Sequence, residues 1–147
     1  MQGLDIAFKL FVDPGDLVVV ESPTYTNGSG TALSYGAEIL EIPMDDDGMD
    51  VEALEAQVGE LGRTPRLIYT IPNFQNPSGT TLSLERRKRL LELAHEWGSV
   101  ILDDDPYGEL RFAGQEIGLR AIHYSNAGIK KPNDGVEAYT VHYRMSF

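Results

Sequence analysis

Cysteine does not occur in the 147 residues. Its absence excludes disulfides, thiolate metal sites and cysteine nucleophiles, and nothing points to an oxidising compartment. The cytoplasm is the expected location. Positive charge is scarce, with 12 Lys and Arg against 23 Asp and Glu for a formal net charge of −11. Binding phosphate backbones needs a basic face, so no nucleic acid is expected as a direct partner. Long apolar runs are missing as well, and none approaches the roughly 20 residues that cross a bilayer. The first residues, Met1 to Val12, carry Asp5 and Lys9 within their apolar pattern, unlike a secretory signal. No membrane partner is expected.

What remains is ordinary globular material, 41% hydrophobic and 24% charged, of a length that suits one domain. Short apolar runs alternate with amphipathic segments. That pattern predicts an α/β fold of three layers, a mostly parallel sheet flanked by helices. The chain opens in a helical pattern. Leu17 to Val20 follows the turn Asp13-Pro14-Gly15-Asp16 and reads as a strand, and Glu38 to Ile42 as a second one closed by Pro43. Val51, Leu54, Val58 and Leu61 recur at helical spacing behind Asp50, a natural N-cap. Arg66 to Ile71 is a buried strand. Leu90, Leu93, Ala94 and Trp97 stripe a second helix, capped by Ser83 and ended by Gly98, and its run Arg86-Arg87-Lys88-Arg89 is expected on the exposed face. Val100 to Leu102 and the alternating stretch at 139–143 complete the strands.

In open α/β sheets ligands collect beyond the carboxyl ends of the strands. Four such places carry chemistry here: Glu21-Ser22-Pro23-Thr24-Tyr25, the run from Pro72 through Asn76-Pro77-Ser78-Gly79, Asp103-Asp104-Asp105-Pro106-Tyr107, and Ser146. Taken singly, these have plainer readings: Asn-Pro-Ser-Gly is a common turn, a triple aspartate is usually a solvated loop, and a tyrosine usually packs. Together they offer an aromatic face, an amide, a carboxylate, a phenol and a hydroxyl. That set suits a flat, charged heteroaromatic ring bearing a phosphate. A carboxylate keeps a pyridine nitrogen protonated, which makes the ring an electron sink. His95, His123 and His142 show no spacing that would pair them on a metal, and Asp45-Asp46-Asp47-Gly48 lacks the glutamate of a calcium loop.

Asn76-Pro77-Ser78-Gly79 followed by Asp104-Asp105-Pro106-Tyr107 resembles the core signature of the fold-type I pyridoxal-phosphate (PLP) enzymes, the class I/II aminotransferases. The resemblance covers nearly the whole chain. It is strongest toward 2-aminoadipate and aromatic aminotransferases, through ESPTY, IPNFQNPSG, SLERRKRLLELA and DDPYGELRF. It implies PLP as cofactor, an amino acid and a 2-oxo acid as substrates, and a homodimer. Residue by residue, it places the partner of the pyridine nitrogen at Asp104 and the phenol that bonds the ring oxygen at Tyr107. Asn76 then supplies the second bond to that oxygen, Tyr25 stacks on the ring, and Ser146 touches the phosphate.

Departures from the family accompany these matches. Its Gly-Ser-Gln-Gln type phosphate loop is represented by Gln2-Gly3 alone, and residues 114–136 fit poorly. The lysine that anchors the cofactor covalently is expected two residues beyond Phe147, while Lys9, Lys88, Lys130 and Lys131 do not stand after a strand. Residues 1–147 are therefore expected to be part of the PLP-binding large domain, without the small C-terminal domain and inactive alone. Two alternatives stand beside this: the ligand-sensing domain of a transcription regulator, and a truncated product without function.

Overall fold

The computed structural model describes residues 1–107 and a strand at 140–143. In chain order the elements are α1 (Gln2–Phe11), β1 (Leu17–Ser22), α2 (Thr26–Ser34), β2 (Glu38–Asp45), β3 (Gly48–Met49), α3 (Val51–Leu61), β4 (Leu67–Thr70), α4 (Leu84–Trp97), β5 (Val100–Asp104) and β6 (Thr140–Tyr143). The strands form one sheet in the order β3-β2-β1-β4-β5-β6. Every neighbouring pair is parallel except β2 and β3, which form an antiparallel hairpin.

Alternation along the central strands sorts the side chains into two cores, as the period of a strand requires. Val19, Ile68 and Ile101 join Leu54, Leu90 and Ala94 on the α3 and α4 side. Val18, Leu67, Tyr69 and Leu102 join Phe8 and Ala32 on the α1 and α2 side. The architecture is the three-layer α/β arrangement expected from the alternating pattern. No helix among the described residues is long and apolar enough to cross a membrane.

Local signals set several boundaries. The Asp50 carboxylate accepts from the Ala53 amide at 3.0 Å, and the Ser83 hydroxyl accepts from the Arg86 amide at 3.4 Å, so each caps its helix. Gly98, at φ 68°, ends α4 in the left-handed conformation that glycine tolerates best.

Three expectations are corrected, and one helix stands outside the sequence pattern. β2 runs through Pro43 to Asp45, because beyond it lies only the two-residue β3 and a proline near a sheet edge leaves few ladder bonds unmade. Leu61 is 54% exposed, as the last residue of α3 directly before the left-handed C-cap Gly62. The helix α2 has no counterpart in the hydrophobic pattern. Its sequence TNGSGTALS has poor propensity, and it is helical as the crossover that carries the chain from β1 to the parallel β2. Finally, Arg87 is fully buried rather than exposed. Its guanidinium donates to the carbonyls of Leu82 at 2.7 Å and Pro72 at 2.6 Å and to Asn73 Oδ1 at 2.9 Å, which substitutes for water.

Candidate functional site

The chain leaves β1 toward β2 on one side and later returns to β4 on the other, so the strand order reverses between β1 and β4. This switch point is where an open α/β sheet forms a crevice at its carboxyl end. The loops after β1, β4 and β5 meet there.

Asp104 ends β5 and is buried. It shares strand parity with Leu102 and therefore faces the α1 and α2 side, while Asp103 and Asp105 have the opposite parity. Tyr69 lies on the same face of the adjacent β4, paired with Leu102, so Asp104 is its diagonal neighbour. The Tyr69 hydroxyl donates to Asp104 Oδ2 at 2.9 Å. Burial pushes the Asp104 carboxyl above its ordinary range, against the lowering effect of this hydrogen bond. The Tyr69 phenol is pushed far upward, first by burial and then by the Asp104 charge, so it remains a donor.

Asp105 is held separately. It accepts from Asn73 Nδ2 at 3.1 Å, and Asn73 in turn accepts from Arg87. The three aspartates are thus not a solvated loop: they are only 1%, 5% and 3% exposed.

Glu21, near the end of β1, organises the loop after β4. Its carboxylate accepts from the Thr70 hydroxyl at 2.5 Å, the Ile71 amide at 3.3 Å and Gln75 Nε2 at 2.9 Å. Burial raises the carboxyl to about 7, the hydrogen bonds from Thr70, Gln75 and Ile71 oppose the rise, and the Asp104 charge adds to it. Gln75 reaches further: its amide donates to the Pro23 carbonyl at 2.8 Å and its oxygen accepts from the Ser78 amide at 2.9 Å and hydroxyl at 2.7 Å. The Gln75 backbone N–H donates to the Thr80 carbonyl at 2.8 Å and closes the loop that holds Asn76. Both Ser22–Pro23 and Asn76–Pro77 are cis peptides.

Tyr25 is half-buried at the N-cap of α2, packed on the core beside Tyr69, and its hydroxyl accepts from Asn27 Nδ2 at 2.8 Å. Tyr25 thus packs on the same core cluster as Tyr69, whose hydroxyl bonds Asp104. Asn76 is half-buried in the loop after β4, and Tyr107 is half-buried just past Asp104. Ser146 and residues 114–136 lie outside the described residues. Tyr69 lies outside the strand-end runs singled out from the sequence, and Glu21 and Gln75 stand within those runs without a role assigned to them. The available signal was a polar residue at or beside the end of an apolar strand, which has no meaning until the neighbouring strand is known.

A buried carboxylate at a strand end, with one oxygen held by a phenol and an amide-bearing loop alongside, matches the chemistry of a protonated heteroaromatic ring. Comparison with known proteins agrees. The family described as aminotransferase class I and II matches residues 1–139. The aromatic-amino-acid aminotransferase 1 of Thermococcus litoralis is 46% identical over 119 residues, 79% of this chain and 28% of that protein. The 2-aminoadipate transaminase of Thermus thermophilus is 40% identical over 111 residues, 76% of this chain and 28% of that protein. The kynurenine aminotransferase of Pyrococcus horikoshii, solved in complex with PMP, superposes with a TM-score of 0.82 at 39% identity, covering 97% of this chain and 33% of that one. The chain belongs to the class I and II aminotransferase family. It spans about 28% of the length of these two curated relatives.

Proposed function

We infer that this chain forms part of the cofactor-binding large domain of a PLP-dependent aminotransferase, moving an amino group from an amino acid to a 2-oxo acid. The observation that carries the reading is the buried Asp104 carboxylate at the end of β5, held by Tyr69. Relatives named for aromatic amino acids, 2-aminoadipate and kynurenine support a bulky or long-chain amino acid as donor. Family resemblance supports a homodimer, and the absence of cysteine supports a cytoplasmic location.

When bound, PLP supplies a pyridine ring that takes up the electron pair released at the amino-acid Cα. The residues of this chain prepare that ring. Asp104 would hold the proton on its nitrogen as counter-ion. Asn76 and Tyr107 would bond the ring oxygen and Tyr25 would lie against the ring face, and the family resemblance gives Ser146 the contact to the phosphate.

Titration calorimetry with pyridoxamine 5′-phosphate (PMP) tests this, because PMP carries an amine and needs no lysine. Saturable binding that weakens about tenfold or more in Asp104→Ala is expected, from the loss of a charge-assisted hydrogen bond. Absence of binding, or equal binding by Asp104→Ala, would overturn the reading.

A further inference from the structure

We propose that Tyr69 is a positioning residue for Asp104, aiming its carboxylate at the cofactor ring nitrogen, and that Gly28 is glycine because a side chain there would displace the Tyr69 hydroxyl. The proposal rests on the cofactor reading above and goes beyond it, since neither residue is among the ring contacts.

The Tyr69 hydroxyl is 2.9 Å from Asp104 Oδ2. Among the described residues it is the hydrogen-bond donor to that carboxylate, and it engages one oxygen, leaving the other for a second donor. A carboxylate at a strand end has a free χ2 rotation, which a single fixed donor removes. A buried carboxylate would also tend to take up a proton, and a donated hydrogen bond favours the charged form that a pyridinium needs.

Tyr69 is itself held without freedom. It is fully buried, and its ring lies 6.1 Å from that of Phe8 on α1, tilted by 60°. On its other side α2 passes so closely that a Cβ on Gly28 would stand 2.6 Å from Tyr69 Cε1 and 2.7 Å from Cζ and the hydroxyl oxygen. These atoms are the end of the ring that bears the hydrogen bond. The glycine in a helix of poor propensity thus has a specific reason: it lets α2 close over the phenol without moving it. The same helix begins at Tyr25, so one element sets both the ring-facing tyrosine and the clamp on the carboxylate.

The test uses PMP and its 1-deaza analogue, in which C–H replaces the ring nitrogen. Each is titrated into the 147-residue chain and its Tyr69→Phe and Gly28→Ala variants. The unaltered chain is expected to prefer PMP. Tyr69→Phe is expected to lower PMP affinity about tenfold while the analogue changes less than about twofold. Gly28→Ala is expected to show the same selective loss, and to add little to it when combined with Tyr69→Phe, so it stands as an independent route if the phenylalanine variant folds poorly. Equal loss of both ligands, or no loss of either, overturns the positioning role while leaving the cofactor reading intact. A chain that binds neither ligand, or does not distinguish them, overturns both.

Discussion

Glu21 and Gln75, 54 positions apart in sequence, meet at 2.9 Å between a buried carboxylate and a side-chain amide. The contact joins the end of β1 to the loop after β4, the loop that carries Asn76. Its acidic partner titrates near neutrality.

Stability should therefore carry a pH signature of Glu21. Its folded pKa is raised from 4.5 to about 7, so the folded state holds the proton more tightly than the unfolded chain. The sign follows: relative to Glu21→Gln, the stability of the native chain falls as pH rises from about 4.5 to about 7, by about 3 kcal/mol. The glutamine amide can donate to Thr70 and accept from Gln75, so the variant should fold. Urea unfolding at stepped pH measures the difference, and a constant offset would contradict the raised pKa.

Asn76 should act on the ring oxygen alone. Asn76→Ala is expected to weaken PMP binding about fivefold to tenfold while leaving a 3-deoxy analogue nearly unaffected, because one hydrogen bond to a charged oxygen is removed. Parallel titrations decide it, and equal weakening of the two ligands would place Asn76 away from that oxygen.

Arg87 should be structural. Arg87→Met leaves the carbonyls of Leu82 and Pro72 and the Asn73 side chain without this buried donor, and should cost about 3 kcal/mol or more in chemical denaturation. Lys88→Met, one position along on the exposed face of the same helix, should change stability by less than about 0.5 kcal/mol.

Gly48 and Gly59 should respond to alanine in opposite directions. Gly48 has φ 88°, and a Cβ there would lie 2.9 Å from the Leu82 Cα, so Gly48→Ala is expected to cost about 2 kcal/mol or more. Gly59 lies inside α3 with open space around it, and alanine should stabilise by about 0.5–1 kcal/mol through helix propensity. Thermal unfolding of the two variants compares them directly.

The sequence by itself determined the elements whose causes are local. Asp50 and Ser83 announce helix starts because a side-chain oxygen caps an amide three residues on, and Gly98 announces a stop because its φ needs no neighbour to be favourable. The β-branched runs of β1 and β5 read as buried strands for the same reason. The Asn76 and Asp104 motifs could be placed at strand ends, since a strand end is itself a local feature.

Only the tertiary structure decided which polar groups are paired and on what face. Arg87 looks like one charge in a basic run until the carbonyls of Leu82 and Pro72 close around it, and Tyr69 looks like any core aromatic until β5 lies beside β4. The helicity of α2 is imposed by the crossover it makes, and the need for glycine at position 28 by the phenol beneath it. Hydrogen bonds between residues 35 or 54 positions apart depend on strand order and register, which propensity and periodicity do not encode. The carboxylate of Asp104 was legible in one dimension; the phenol that holds it became visible only in three.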